Sequence, residues 1–239
     1  TNKISDSHSA SLLAMKDWNA EQSTETFTEK KQKKVQSLSI NVTQVCNLHC
    51  VYCAAGGDGT YGRAQRKISI SKTLPQLDIL LSRLDAGEQF NITFLGGEPL
   101  LYPQGMELIA EHAIEIAEQK GISLRFQVIT NGTLFNEENI AFLKRFDFNV
   151  SISVDGPPQI NDVQRPSAGG TGSTAKVLEG LQLLLKNRSK KQMIKVQGVF
   201  GPHNTQVFKA DQFYRELGVD SFEFNFDQSS SDENASKHF

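Results

Sequence analysis

The sequence has few of the features that mark membrane and nucleic-acid-binding proteins. Among its 239 residues, no uncharged apolar run approaches the roughly 18 residues that a membrane-spanning helix needs. Its 25 basic side chains nearly balance 27 acidic ones, so no basic field is present to attract nucleic acid or anionic lipid. We therefore expect neither nucleic acid nor a membrane among its partners.

Cysteine is also scarce, and its placement is informative. The chain has only three, Cys46, Cys50 and Cys53, all on one short segment. A disulfide framework usually shows an even number of cysteines spread along the chain, so this cluster predicts metal ligands in a reducing compartment. The amino terminus is polar, unlike the apolar stretch of a secretory signal. We expect a cytoplasmic protein.

The composition divides the chain into three parts. Residues 1–36 form a polar, weakly patterned extension, residues 37–227 form a core domain, and residues 228–239 form a polar tail. In the core, strand-like runs alternate with helix-like stretches, which predicts an α/β protein with a parallel sheet and leaves barrel closure open. The predicted strands are Ser37–Val42, Asn91–Leu95, Leu124–Thr130, Phe148–Val154, Ile194–Phe200 and Ser221–Phe226.

Five helices are predicted between these strands. Two are read from apolar periodicity, and Pro75 is expected in the first turn of the first of them, where a proline is tolerated. The other three follow residues that suit a helix start. The predicted helices are Leu74–Leu84, Met106–Gln119, one capped by Asn136 that runs through Phe142, one capped by Ser173 or Thr174 that runs through Leu185, and one that follows Asn204 and ends at Gly218.

Unusual residues gather where successive strands end. The first strand runs into Cys46–Cys53, the second ends in Gly96–Pro99, the third in Thr130–Gly132 and the fourth in Ser153–Gly156. In parallel α/β folds the loops at the carboxyl ends of strands converge, and ligands bind there. The sequence therefore predicts one site at this edge of the sheet.

Three thiolates on one loop favour a particular metal group. Structural zinc takes four ligands, commonly as two separated pairs, and no distant cysteine is present to complete a tetrahedron. An iron–sulfur cube usually takes four thiolates, so three leave one iron with an open position. A reactive cluster needs such a position to bind a substrate. The C-x3-C-x2-C spacing therefore favours a reactive iron–sulfur cluster.

Five motifs of the core domain, taken in order, carry a family resemblance. They are Cys46-x3-Cys50-x2-Cys53 with Tyr52 before the last cysteine, Gly96-Gly97-Glu98-Pro99, Thr130-Asn131-Gly132-Thr133-Leu134, Ser153-Val154-Asp155-Gly156-Pro157-Pro158 and Asn161-Asp162-x2-Arg165. This set resembles the radical S-adenosylmethionine (SAM) superfamily, and within it the peptide- and protein-modifying subgroup that includes anaerobic sulfatase-maturating enzymes. Many relatives have His in place of Asn161. The resemblance covers about residues 37–227 and implies a partial (β/α)6 barrel of the TIM-barrel type.

The resemblance also implies cofactors and a reaction. Cys46, Cys50 and Cys53 would hold three irons of a [4Fe–4S] cluster, and SAM would chelate the fourth through its amino and carboxylate groups. An electron from a donor such as flavodoxin or ferredoxin would cleave SAM to methionine and a 5′-deoxyadenosyl radical. That radical would take a hydrogen atom from a peptide or protein substrate, while the protein positions the cofactor and excludes water.

The loop Gly96–Pro99 is expected to bind the cofactor. Gly96 and Gly97 let the backbone come close to a ligand because no Cβ intervenes. Glu98, followed by Pro99, can accept a charge-assisted hydrogen bond from the SAM ammonium. The alternatives are a simple strand-to-helix turn and a solvated carboxylate.

Five further residues are expected near SAM. Ser153 and Asp155 alternate along one strand, point to the same face and suit ribose hydroxyls, although Asp155 also suits a turn. Arg165 offers a planar fork for the SAM carboxylate, against the alternative of a surface salt bridge. Asn131 is a weaker candidate because Asn-Gly is also a common turn pair. Tyr52 is expected to shield the cluster.

Two other functions stay open from the sequence. One is a radical SAM enzyme that acts on a small metabolite in cofactor or modified-nucleoside synthesis, and the other is a non-catalytic metal-binding module. The resembled subgroup normally continues into a cysteine-rich domain with auxiliary clusters, yet all three cysteines here are already assigned. We therefore expect a single cluster, in a chain that is either cut before that domain or naturally short.

Overall fold

The sheet contains six parallel strands in the order in which they occur along the chain. The structure is a computed structural model that describes residues 34–53, 67–201 and 204–226; most of the predicted extension and the whole predicted tail lie outside them. The strands are β1 (Ser37–Thr43), β2 (Gln89–Gly96), β3 (Ser123–Thr130), β4 (Asn149–Ser153), β5 (Ile194–Phe200) and β6 (Ser221–Phe226). The predicted α/β fold with a parallel sheet is confirmed.

Helices connect the strands in the described part of the chain. They are α1 (Ile70–Ser82), α2 (Pro103–Lys120), α3 (Glu137–Arg145), α4 (Pro158–Gln164), α5 (Thr174–Asn187) and α6 (Val207–Arg215), and a short 3-10 turn spans Pro99–Leu101. The side chain of Asn136 caps α3, as predicted, by accepting a hydrogen bond from the Asn139 main chain. Helix α2 ends at Gly121, which has a left-handed φ of 68°.

The helices differ from the prediction in several places. Helix α2 begins at Pro103, three residues before the predicted Met106, and the Ser173 side chain does not cap α5. Helix α1 begins four residues earlier than expected, so that Pro75 lies beyond its first turn. Helix α4 was not predicted at all. It begins at Pro158, whose fixed φ suits a first helical position and whose missing N–H is unneeded there.

The two faces of the sheet have opposite character. Fully buried side chains such as Ile92, Phe94 and Val128 form one core with apolar residues of the helices. The other face is mainly polar: Thr93 lies beside Gln127 in the register, and both are half-buried. A polar inner face fits a partial (β/α)6 barrel that leaves room for ligands inside, because a filled barrel would carry bulky apolar residues there. No helix in the described ranges is long and apolar enough to cross a membrane.

Candidate active site

The cysteine loop, residues 44–53, leaves the carboxyl end of β1 and pairs with the chain that follows α4. The main-chain N–H of His49 donates to the Pro166 carbonyl at 2.8 Å, and that of Val51 donates to the Gln164 carbonyl at 3.0 Å. The Ala168 N–H in turn donates to the carbonyl of Asn47 at 3.0 Å. These hydrogen bonds fix the backbone that carries the three thiols.

The thiols lie at the rim of the sheet edge. Cys46 and Cys50 are half-buried and Cys53 is exposed. Burial raises the pKa of Cys50 to about 11, against the opposing effect of the Arg165 charge, and burial also raises the pKa of Cys46. Without metal the thiols of Cys46 and Cys50 therefore hold their protons at neutral pH, and a metal group has to displace those protons to bind.

The donor set fits an iron–sulfur cluster. Three soft thiol ligands on one ordered loop are the ligand type that such clusters take. Within the described ranges, no three His, Cys, Asp or Glu side chains come close enough together to hold a single metal ion. A cluster takes one thiolate per iron, so its ligands need not meet at one point.

Gly96 and Gly97 lie against the backbone that leads into the cysteine loop. A Cβ atom on Gly96 would lie 2.3 Å from the Thr43 carbonyl oxygen, and one on Gly97 would lie 2.3 Å from that of Val45. Gly96 also has a φ of 143°, which side chains rarely adopt. The close approach that requires glycine here is therefore to the cysteine loop, and the predicted approach to a ligand stays a prediction.

The Glu98 carboxylate joins the ends of β2 and β3. It is fully buried, and its Oε1 accepts hydrogen bonds from Thr130 Oγ1 at 2.7 Å and from the Leu100 N–H at 3.0 Å. Its Oε2 accepts from the Asn131 N–H at 2.7 Å. Burial raises the pKa of Glu98 although these hydrogen bonds oppose the rise. A cation beside this carboxylate would favour its charged form. Pro99, also buried, begins the 3-10 turn that Glu98 caps.

Tyr52 connects the cysteine loop to two buried charges. Its hydroxyl donates to Asp155 Oδ2 at 2.7 Å and accepts from Arg165 Nη1 at 2.5 Å. Asp155 Oδ1 accepts the Val199 N–H at 2.9 Å, and Asp155 has no exposed surface. Burial raises the pKa of both Asp155 and Tyr52. The guanidinium and the carboxylate therefore face each other through the phenol.

Arg165 keeps one donor without a partner. The residue is only 7% exposed, and its Nε is buried with no hydrogen-bond partner in the structure. An unpaired buried donor is costly, so it indicates a group that the protein alone does not supply. A carboxylate from a ligand would satisfy it, and the alternative of a surface salt bridge is excluded by the burial.

The predicted ribose residues occupy different environments. Ser153 is half-buried at the end of β4, on the polar face of the sheet. Asp155 already accepts one protein donor on each oxygen, so a ribose hydroxyl would have to share or displace one of them. Their contact with SAM stays a prediction, as does that of Asn131, which lies between Glu98 and Cys46.

Several residues that support the site were given no role from the sequence, although Asn161 and Thr130 lie in its motifs. Asn161 is fully buried; its Oδ1 accepts the Asp155 N–H at 3.0 Å, and its Nδ2 donates to Thr174 Oγ1 at 2.8 Å. Asn204 Nδ2 donates to the Asp155 carbonyl at 3.1 Å. Thr130, noted only as part of a motif, donates to Glu98. The partners of Asn204 and Thr130 lie 49 and 32 positions away in sequence, so no local pattern signals these two contacts.

The parallel α/β sheet, with thiols, a carboxylate and a guanidinium at its carboxyl edge, defines a cofactor-binding partial barrel. The family model of the Radical SAM superfamily matches residues 40–207. This chain belongs to that superfamily, and its cofactors are SAM and a [4Fe–4S] cluster.

Several curated proteins are similar to this chain over part of their length. The chain is 32% identical to a cysteine-type anaerobic sulfatase-maturating enzyme of Clostridium novyi, over 61% of this chain and 38% of that enzyme. It is 30% identical to a serine-type enzyme of Bacteroides thetaiotaomicron, over 61% of this chain and 35% of that one. An uncharacterized protein of Methanocaldococcus jannaschii is 33% identical over 63% of this chain and 49% of its own length.

A solved structure has the same fold. It is described as anSMEcpe with bound AdoMet and a Cp18Cys peptide, and it matches with a TM-score of 0.66 and 25% identity, over 81% of this chain and 51% of that chain. The predicted partial barrel is thereby confirmed. The chain spans about half or less of the length of these relatives.

Proposed function

We propose that this chain is the catalytic core of a radical SAM enzyme that modifies a peptide or protein side chain. The core comprises residues 37–227, as the sequence predicts. Two kinds of similarity support a peptide substrate: curated relatives that are sulfatase-maturating enzymes, and a structure of the same fold that holds a peptide. Three cysteines on one metal-binding loop favour a reducing compartment, and we place the enzyme in the cytoplasm.

The observation that carries this proposal is the meeting of three unlike groups at one sheet edge. Asn131 contacts both Glu98 and Cys46, and Tyr52 of the same cysteine loop contacts Arg165. Thiols, a buried carboxylate and a buried guanidinium are therefore neighbours. A ligand that carries an ammonium and a carboxylate, and that also binds a metal cluster, finds a complementary partner for each group here.

We assign the two ends of the amino-acid part of SAM to Glu98 and Arg165. Burial raises the pKa of the Glu98 carboxyl, so an ammonium beside it would favour the charged form. The buried and unpaired Nε of Arg165 would donate to the SAM carboxylate. Gly96 and Gly97 hold the cysteine loop beside Glu98, and Pro99 fixes the turn that places its side chain.

The remaining cofactor residues act around the ribose and the cluster. Ser153, half-buried on the polar face, is the more accessible ribose partner, and Asp155 orients Tyr52 and shares the ribose contact. Tyr52 covers the inner side of the loop and excludes water from it. When bound, the cluster and SAM supply a one-electron cleavage that leads to hydrogen-atom abstraction from the substrate. Cys46, Cys50 and Cys53 would hold the cluster.

The inner face of the sheet favours a polar substrate. Thr93, Gln127, Gln197 and Asn225 are half-buried on this face, on four different strands. Amide side chains both donate and accept hydrogen bonds, which matches the alternating N–H and C=O groups of an extended peptide. Gln197 is already positioned by Ser151, whose hydroxyl donates to its Oε1 at 3.0 Å.

An electron donor such as flavodoxin or ferredoxin completes the proposed reaction. Cys53 is exposed, and the neighbouring Val51 is 55% exposed, so one side of the cysteine loop faces the surface. A small redox protein docked at this surface would approach the cluster directly. No nucleic acid or membrane partner is proposed.

An anaerobic cofactor-cleavage assay tests the proposal. Reconstituted protein is incubated with SAM and either dithionite or reduced flavodoxin, and 5′-deoxyadenosine is measured by mass spectrometry. Peptides encoded near the gene are then added, and their products are sought by mass change. We expect SAM to be cleaved without peptide, and to be cleaved faster when the substrate peptide is present. Product formation from a small metabolite instead of any peptide would contradict the peptide assignment.

A further inference from the structure

Asn131 lies directly between the end of β3 and the first cysteine of the cluster loop. Its side chain is 5% exposed, and its Nδ2 lies 2.8 Å from Asn47 Oδ1 and 3.8 Å from Cys46 Sγ. The second distance is within hydrogen-bonding range for the larger sulfur atom. Its Oδ1 accepts hydrogen bonds from the Thr133 N–H at 3.0 Å and from Thr133 Oγ1 at 2.7 Å.

The surroundings of Asn131 decide which way its amide faces. A main-chain N–H can only donate, so the atom that faces the Thr133 N–H has to be the carbonyl oxygen, and the NH2 group then faces Cys46. Thr133 Oγ1 also accepts from Asn47 Nδ2 at 2.8 Å, which closes a ring of three side chains. Every donor in this ring meets an acceptor, so the Asn131 amide is held with its hydrogens toward the sulfur.

We propose that Asn131 is a positioning residue that donates an N–H···S hydrogen bond to the Cys46 thiolate and thereby raises the reduction potential of the cluster. The inference deepens the proposed function and rests on it for the presence of the cluster. Reduction adds negative charge to the cluster and its thiolates, so a donor at the sulfur stabilises the reduced form more than the oxidised form. The Leu48 N–H, 3.4 Å from the same sulfur, acts in the same direction.

Asn131 also contacts Glu98, so it connects this carboxylate to the cysteine loop. Its main-chain N–H donates to Glu98 Oε2 at 2.7 Å, while its side chain donates to Cys46. Both side-chain hydrogens and the side-chain oxygen have partners inside the protein. Asn131 is therefore linked both to the cluster loop and to Glu98, whether or not it also contacts SAM.

The test is an EPR-monitored redox titration of the reconstituted cluster without SAM or substrate. We expect Asn131→Ala to shift the midpoint potential of the cluster by about 59 mV to a more negative value. For a one-electron couple, this shift makes the ratio of reduced to oxidised cluster about tenfold lower at the wild-type midpoint. Asn131→Asp keeps the side-chain shape but replaces the donor with oxygen, so its shift has the same sign. Resonance Raman spectra should show a stiffer iron–cysteine stretch in both variants.

The matched control is Asn139→Ala. Asn139 is also a buried asparagine, 8% exposed, and its Nδ2 donates to the Leu134 carbonyl at 2.8 Å, outside the cysteine loop. Its substitution should leave the midpoint unchanged. An unchanged midpoint in both Asn131 variants, an equal shift in the control, or loss of the cluster from both Asn131 variants would each overturn the proposal. If the Asn131 variants show the expected shifts but the wild-type protein, with its cluster bound, never cleaves SAM, only the proposed function is refuted.

Discussion

The Tyr52 hydroxyl lies 2.7 Å from Asp155 Oδ2 and so ties the cysteine loop to the chain that follows β4. The two residues are 103 positions apart in sequence. Arg165 donates to the same hydroxyl, so one phenol oxygen serves a buried anion and a buried cation together. The loop that would hold the cluster is thereby fastened to the residues that would hold SAM.

Removing this hydroxyl should loosen the loop. Tyr52→Phe leaves the buried Asp155 and Arg165 without their shared partner, so we expect the free energy of unfolding to fall by about 1–3 kcal/mol. Hydrogen exchange of the cysteine loop should also quicken. Tyr102→Phe, at a half-buried tyrosine outside the site, is the control. Unchanged stability and unchanged exchange in Tyr52→Phe would contradict the role of the hydroxyl.

The Arg165 fork should determine SAM affinity. Arg165→Lys keeps the buried positive charge beside Asp155 but removes the Nε donor, so SAM binding should weaken by about 1.5–3 kcal/mol while the cluster is retained. Equilibrium titration of the reconstituted protein measures this. Arg145→Lys, at a surface arginine paired with Glu107 and Glu111, should bind SAM normally. Equal affinities in the two variants would show that Arg165 has no direct contact with SAM.

Glycine at position 97 should be required for the shape of the cysteine loop. Gly97→Ala places a methyl group 2.3 Å from the Val45 carbonyl oxygen, and backbone cannot move aside as a flexible side chain can. We expect a loss of about 1–3 kcal/mol in stability, together with poor cluster reconstitution. Gly169→Ala is the matched control because its new methyl group meets only Ser167 Oγ, at 3.8 Å. If Gly97→Ala took up the iron–sulfur cluster as well as wild type, the close packing of Gly97 on Val45 would not be needed for the loop.

The three thiols should account for all the bound iron. With every cysteine on one loop, reconstituted protein should bind about four irons per chain, the content of one cube. Cys50→Ala should lose both the cluster and SAM cleavage, because two thiolates are too few to retain it. Iron and sulfide analysis measures the first effect and 5′-deoxyadenosine the second. About eight irons per chain, or normal cleavage by Cys50→Ala, would refute this ligand set.

Stability at acid pH should depend on Asp220. Its pKa is lowered by the hydrogen bond from Arg188, and its carboxylate also accepts the Ile194 N–H at 2.7 Å. A lowered folded-state pKa means that the stabilisation is present above the unfolded value of about 4 and is lost as the pH falls through the folded value. The stability difference between wild type and Asp220→Asn should therefore be constant from about pH 7 to 5 and shrink below about pH 4. Denaturation at several pH values measures it, and a difference that grows in acid would contradict the sign.

The sequence predicted the strands and the cysteine loop well because both depend on local patterns. Each predicted strand of alternating or β-branched residues overlaps a strand of the structure, and the three cysteines fall just after β1. The alternation of strands with helices predicted that the strands are parallel. A parallel sheet in turn places the polar loops that follow the strands at its carboxyl edge. Helix α4 was not predicted because the stretch that begins at Asp155 also suits a turn, although Pro158 is equally suited to begin a helix.

The sequence by itself determined the class of fold, the thiol donor set and the edge of the sheet where the candidate site lies, since periodicity and spacing are properties of neighbouring residues. Tertiary structure alone decided what each of those residues touches. Only it shows that Gly97 packs on Val45, that Glu98 is shared between two strand ends, and that Tyr52 joins Asp155 to Arg165. These partners are brought together by the burial of one face of the sheet, and hydrogen bonds between distant segments leave no periodic trace in the chain.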